Sequence, residues 1–470
     1  MNQIILMKDI RLMLKDLKFQ IFFLILVALF ILSAISSAVT YQNLSEEFQT
    51  DLNRHNERVA DGESMQMIRM LQGNLLQVVS RPSPAVLFSS YQTYPDKISV
   101  GILFYTPYFD NYGTSTREVF RLNWYFILGI LSGFFMLILS FEAISHEKRA
   151  GTLRLMSVYG FKRQMILWHK YISYMLLYLI IIVPPALVSL LLFFAMTGTW
   201  SMVFMWKFLL ILLISVPFAS FFVWLGTLIS MVKNYRNAIV MVVFIWLFFV
   251  IIVPQSANII AKQLSPLKTS IEYNEMWRQA YLEEYQIWGD EYGMQVHSNG
   301  ALHDGIRARA FHACDEKAAL TKLIEIDDSD RQTRMIQNIS AISPFVQFEK
   351  ISEVIFDKGY YLLNFQQETA KRSINQITNL MIEQDSRDET SLHLFYGHAN
   401  SDRYVLSELG QIPFSEQLFE HPELLFVSEI ETEDSWTKAM RILLRLLPIL
   451  ILNLVLIVVS VVRFEKLDIR

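Results

Sequence analysis

Six stretches of this chain, 17 to 26 residues long, contain no Lys, Arg, Asp or Glu: 19–39, 122–141, 171–196, 208–231, 238–261 and 446–462. At 1.5 Å per helical residue, such a stretch matches the roughly 30 Å hydrocarbon core of a bilayer. Backbone polar groups inside hydrocarbon must be satisfied within their own segment, so runs of this kind cross as helices. Six of them in one chain argue against a large soluble helical protein. Composition agrees: 18 % of the 470 residues are charged and 53 % hydrophobic, where soluble chains carry about 25 % charged residues. The mean hydropathy is +0.32. The expected fold is an all-α polytopic membrane protein with transmembrane helices at 19–39, 122–143, 171–196, 208–231, 238–261 and 446–462.

Residues 1–18 are too long and too patterned for the leader of a cleavable signal. Ile4, Ile5, Leu12 and Met13 interleave there with Lys8, Arg11, Lys15 and Lys18, as in an amphipathic helix lying in the inner interface. An ordinary positively charged tail is the plain alternative. Orientation follows the Lys/Arg bias of short loops. The lead carries four such residues, the 144–170 loop six, the 232–237 link two and the 463–470 tail three, against none in 197–205. Both termini are therefore expected in the cytoplasm. Residues 40–121 and 262–437 are expected outside, the latter with 15 Lys/Arg against 30 Asp/Glu. SIEYNEMWRQAYLEEYQIW, LIEIDDSDRQTRMIQNI and QQETAKRSINQITNLMIEQ have helical spacing, so the 262–437 domain is expected to be largely helical, while 81–112 looks extended or loop-like. Cys314, the one cysteine, has no partner for an intrachain disulfide.

Between spans two and three lies HEKRAGTLRLMSVYGFKRQ, residues 146–164, a basic segment between two apolar walls. Gly151 is a natural break, Thr152 an expected N-cap, and Gly160 an expected left-handed stop, leaving about two helical turns. Leu153, Met156 and Tyr159 recur every third residue. They form an apolar stripe that lipid need not cover, which predicts a docking element; a basic inner loop without a partner is the alternative. Glu142 follows twenty charge-free residues at the inner end of span two. A carboxylate at that depth is costly unless paired or at the water line, and Arg149, Lys162, Arg163 and Lys170 are its expected partners.

These residues carry a resemblance. FEAISHEKRAGTLRLMSVYGFKRQMILWHK is similar to the signature of ABC-2-type permeases, with Glu142, Glu147, Gly151, Thr152, Leu153, Leu155, Arg163 and Lys170 at the matching positions. The six-span order and the RPSP segment at 81–84 look like the branch with large extracytoplasmic insertions, similar to multi-copper enzyme maturation permeases. The resemblance covers the spans well and 262–437 poorly. It implies a permease subunit in a bacterial cytoplasmic (inner) membrane, whose 144–170 loop presents a coupling helix to a cytoplasmic ABC ATPase. Arg149, Met156, Tyr159 and Gly160 would share that coupling surface. A second permease copy or a related permease completes the usual transporter, and a periplasmic protein partner is possible for the outer domain. No nucleic acid is expected.

The chain has no G-x-x-x-x-G-K-[ST] to cradle phosphates, so no cofactor is expected in it; ATP and Mg belong to the partner subunit. The spans also lack the ionisable residues of ion-coupled carriers. His146-Glu147 lacks the second histidine of H-E-x-x-H, because position 150 is Ala. His393 and His398 are loosely spaced and read as solvated. No acid/base pair stands out, so an enzyme is not expected. The alternative function is a mechanotransmitting relative, which moves its outer domain on periplasmic partners without a substrate path through the bilayer. Gly129 and Gly133 permit a close helix contact, and Pro184, Pro185, Pro217, Pro254 and Pro448 are expected to bend spans.

Overall fold

The computed structural model describes residues 10–61, 76–79, 81–88, 97–103, 106–110, 122–232, 234–293, 306–387, 418–421, 426–429 and 434–467. Six helices are long and apolar enough to cross a membrane. The first, α1 (Leu17–Asp61), has 45 residues, about 68 Å of helix, so it runs well past the bilayer instead of ending with its apolar run at 39. Residues 10–15 are helical before it, and the Asp16 carboxylate, accepting from the Lys18 amide at 3.0 Å, marks the break. The expected interfacial helix 1–18 is described only from residue 10 onward.

Span two is a π-turn, Phe126–Leu131, continued by α2 (Ser132–Ser140). Two short helices follow, α3 (Ser145–Arg149) and α4 (Thr152–Val158). Span three is α5 (Arg163–Thr197), so the last eight residues assigned to the loop already belong to it. Span four is α6 (Met202–Ile229). Span five is α7 (Tyr235–Leu247), a second π-turn (Phe248–Ile252) and α8 (Val253–Leu264). Then come α9 (Ser270–Tyr292), α10 (Ile306–Ile339), α11 (Pro344–Phe356) and α12 (Gly359–Arg387), with α13 (Ser435–Glu465) as span six. Among the prolines, Pro184, Pro185, Pro217 and Pro448 lie inside continuous helices, and Pro254 opens α8 directly after the π-turn. The face with α3, α4 and the last turn of α13 is called the loop side; α9 to α12 occupy the domain side.

The chain is predominantly helical. The exception among the described residues is a four-stranded sheet on the domain side: β1 (Leu76–Val79), β2 (Lys97–Leu103), β3 (Thr106–Asp110) and β4 (Phe426–Glu429), in the order β3-β2-β1-β4. β2 and β3 fall in the stretch expected to be extended. β1 pairs in parallel with β4, Leu76 opposite Phe426. The segment between spans one and two and the one between spans five and six, separate in the sequence, thus share one sheet, and α12 packs on it.

The core of the span bundle is aromatic. Trp124 meets Phe30 and Phe208 edge-on at 5.5 and 5.1 Å between ring centroids. Small residues bring α2 and α6 together: a Cβ on Gly133 would sit 2.7 Å from the Phe222 ring, and one on Gly226 would collide with Ser140 Oγ. The Gly129/Gly133 pair therefore serves contacts within the chain. Gly133 meets α6, while a Cβ on Gly129 would lie 3.4 Å from Phe345 of α11.

That contact reveals the main departure from expectation. α11 belongs by sequence to the 262–437 segment, yet it is buried almost end to end between the domain-side halves of spans two, four, five and six. Phe348 stacks on Phe218 at 4.8 Å and Phe356 lies 5.0 Å from Phe208. Ser343 caps the helix, accepting from the Val346 amide at 3.5 Å and donating to the Phe249 carbonyl at 2.7 Å. Phe249 lies in the π-turn of span five, and a π-turn shifts the backbone pairing by one residue, which releases carbonyls for such partners. At the other end Asp357, left-handed at φ 52°, accepts from Lys207 of α6 at 2.8 Å and pairs with Lys438 of α13 at 2.6 Å.

Candidate functional site: the loop-side helix pair

The loop between spans two and three folds through its glycines. Gly151 and Gly160 take φ of 73° and 78°, a region where other residues are strained. The Phe161 amide donates back to the Met156 carbonyl at 3.2 Å, closing α4 over Gly160 as a left-handed stop does. Thr152 is not the N-cap. It is the first residue of α4, and its hydroxyl donates to the Glu147 carbonyl at 3.2 Å and also to the Glu147 carboxylate. The threonine thus fastens α4 to α3.

Burial divides α4 differently from the expected stripe. Leu153 is 0 % exposed, packed with Ile144, Ile166, Leu167, Trp224, Met231 and Phe464, and Met156 and Phe161 lie against the same cluster. These residues belong to spans three, four and six and the turn before α3, so Leu153 and Met156 pin α4 to the bundle. The apolar residues left outward are Leu155, Val158 and Tyr159, at 58, 78 and 73 % exposure. Their spacing of three and four gives one face. The outward apolar stripe expected at Leu153, Met156 and Tyr159 is therefore not observed: Leu153 and Met156 turn inward, and Tyr159 is exposed together with Leu155 and Val158. Sequence spacing alone does not say which of two apolar faces on a seven-residue helix meets the bundle.

The charged residues divide into three sets. Lys170, 5 % exposed, places its Nζ 2.6 Å from Glu147 Oε1. Arg163 donates to the carbonyls of Glu465, Leu467 and Phe464 at 2.7, 2.9 and 3.4 Å. A helix end carries unsatisfied carbonyls and a partial negative charge, so this guanidinium caps α13. Gln164 Nε2 adds a bond to Glu465 Oε1 at 2.6 Å. Glu142 pairs with neither Lys162 nor Arg163 nor Lys170. It accepts from Lys18 Nζ at 3.1 Å and from the Tyr235 hydroxyl at 2.7 Å. Arg149 lies 5.0 Å over the Tyr235 ring. The partners expected from the same loop are taken elsewhere: Lys170 by Glu147 and Arg163 by α13. Glu142 instead ties the start of span one to the end of span two and the start of span five.

Deeper in the bundle, a polar chain crosses three spans. The Tyr171 hydroxyl lies 2.9 Å from Ser220 Oγ, Ser220 donates to Asn453 Oδ1 at 2.8 Å, and Asn453 Nδ2 donates to the Pro217 and Ile449 carbonyls, each at 2.9 Å. Polar groups in the hydrocarbon favour such mutual pairing. Trp224 stacks on Tyr171 at 4.6 Å just above Leu153. Any displacement of α4 therefore meets spans three, four and six directly. Lys233 and the His393/His398 pair lie outside the described residues.

These features define a multi-pass membrane protein, with a short helix on one face, α4, that is anchored inward and apolar outward. The model of the ABC-2 family transporter proteins matches residues 3–469. The chain belongs to this family and is a membrane permease subunit of an ABC transporter. Among curated proteins, none matches the chain significantly.

Proposed function

We propose that this chain is the membrane-spanning subunit of an exporter-like ABC-2 transporter, driven by a separate cytoplasmic ATPase that docks on α4. The observation carrying this reading is the division of α4 into a buried face and an exposed apolar face of Leu155, Val158 and Tyr159, flanked by exposed Arg154 and Lys162. Exposed apolar groups on a rigid element are what a partner cleft buries. The inner anchoring by Leu153 supports transmission of the partner's movement to spans three, four and six. In this reading the loop side faces the cytoplasm of a bacterium, both termini with it, and the domain side faces outward. ATP and Mg are held by the ATPase. A second permease copy completes the transporter across the broad apolar surfaces that spans five and six expose.

A second reading is supported by α11. Because Asp357 and the Phe348–Phe218 stack lock an outer-domain helix between the spans, span movement would shift the outer domain, as a mechanotransmitter acting on periplasmic partners requires.

The test compares two faces of one helix. Leu155→Asp with Tyr159→Asp is expected to leave the permease inserted and folded while at least tenfold less ATPase co-purifies with it. Leu153→Ala is expected to lower the melting temperature instead, since burying Leu in a closed core is worth about 2–5 kcal/mol. Full-strength, transport-coupled ATPase association in the first variant sinks the docking role.

A further inference from the structure

A second site lies on the domain side, far from α4. A cavity of about 940 Å³ opens between α10, α11, α12 and the first turns of α13. Six cations line it, Arg334, Lys350, Lys371, Arg372, Arg441 and Arg445, against three carboxylates, Asp330, Glu353 and Glu368. Two of those carboxylates are engaged by cations of the wall: Lys350 with Glu353 at 3.0 Å and Arg372 with Glu368 at 3.5 Å. The excess is positive, in a domain whose sequence is strongly acidic. Arg441 and Arg445 also stand one turn apart on α13, where like charges repel modestly.

Two glutamines of the wall are left half-satisfied. Gln337 and Gln347 are each more than nine-tenths buried, and each uses half of its amide. Gln337 Oε1 accepts from Arg445 at 3.1 Å and Gln347 Nε2 donates to the Ala341 carbonyl at 3.0 Å. Gln337 Nε2 and Gln347 Oε1 have no partner among the described residues, and buried polar atoms normally have one.

The cavity does not end in polar wall. Leu444 and Pro448 line it, and from them the same face of α13 continues as exposed Leu447, Ile451 and Val455. Arg445 is the last charge before the uncharged run of span six, so this rim sits where headgroups meet hydrocarbon. Basic pockets between spans hold anionic headgroups for this reason, and guanidinium forks fit phosphate oxygens two at a time.

The geometry points to a binding site for an anionic amphiphile: its phosphate against Arg441 and Arg445, its headgroup within the cation-lined cavity, and its chain along Leu447, Ile451 and Val455. This does not rest on ATPase docking. The same phosphate chemistry could arrive as a free anion, and the experiment separates the two sources.

The full chain in maltoside micelles is titrated with short-chain phosphatidylglycerol, with the phosphatidylcholine of equal chain length, and with inorganic phosphate. Saturable binding of phosphatidylglycerol is expected, at least tenfold tighter than phosphatidylcholine and weakened as salt rises. The double variant Lys371→Gln, Arg441→Gln is expected to lose at least tenfold in affinity with an unchanged melting curve, while Arg278→Gln, a cation of α9 outside the cavity, is expected to bind as the parent does. Inorganic phosphate binding as tightly as the lipid would assign the cavity to a soluble anion and overturn the amphiphile. Equal binding of the two lipids, no saturable binding, or an unaffected double variant would overturn the site itself.

Discussion

Lys170 of span three and Glu147 of α3 meet at 2.6 Å, with both side chains largely withdrawn from solvent and the Thr152 hydroxyl on the same carboxylate. The pair joins positions 23 apart in sequence and closes α4 between α3 and the first turns of span three. Removing one partner from a buried pair strands the other charge, at about 3–5 kcal/mol, whereas removing both often costs far less. Lys170→Met should therefore lower the melting temperature of the purified subunit strongly, and the double variant Glu147→Gln, Lys170→Met should recover much of the loss. Additive losses in the double variant would show that the two residues act separately.

Glu142 differs from Glu147 because its cluster is half open to solvent. Lys18 is about half exposed, and exposed pairs contribute about 0–1 kcal/mol. Glu142→Gln and Tyr235→Phe should then leave stability and insertion nearly unchanged. Because Glu142 joins spans one, two and five next to α3, both variants should reduce transport per ATP hydrolysed. Transport and hydrolysis measured together in proteoliposomes check this, and unaltered coupling in both variants counts against the role.

Asp357 holds α11 in place with Lys207 and Lys438. Asn tolerates the left-handed backbone better than most residues, so Asp357→Asn removes the charge without adding much strain. Backbone hydrogen exchange in α11 should accelerate at least tenfold while α5 and α6 stay protected. Equal protection of α11 in parent and variant would mean that the aromatic contacts of Phe348 and Phe356 suffice alone.

Burial pushes the Glu353 carboxyl up to about 7, although Lys350 beside it and Arg445 of α13 draw it down and Glu349 adds to the rise. A carboxyl raised above its ordinary value favours the folded state below that value. The contribution is lost as pH rises from about 4.5 through 7, because the native state must then release a proton it holds more tightly than the unfolded chain does. Stability should fall over that window in the parent and fall less in Glu353→Gln. Lipid binding in the cavity should strengthen from pH 8 to pH 6, as the wall loses a negative charge. A flat pH profile in the parent would contradict this.

The spans were legible because crossing a bilayer is a demand on local composition: length and freedom from charge can be counted without knowing any neighbour. The stops at Gly151 and Gly160 were legible for a similar reason, since a left-handed residue is a local property of the backbone. Other features depended on partners distant in the chain. Glu142 meets Lys18 across 124 positions, and β1 finds β4 some 350 residues away. Which face of α4 turns inward was decided by Trp224 and Phe464, not by its own spacing. α11 was hidden most completely. Glu349, Lys350, Glu353 and Asp357 make its sequence read as soluble helix, and only the folded chain supplies the cations, π-turn carbonyl and aromatic faces that let it lie among the spans. Composition determines what a segment can tolerate, whereas burial of a charged helix depends on neighbours that only the tertiary structure assembles.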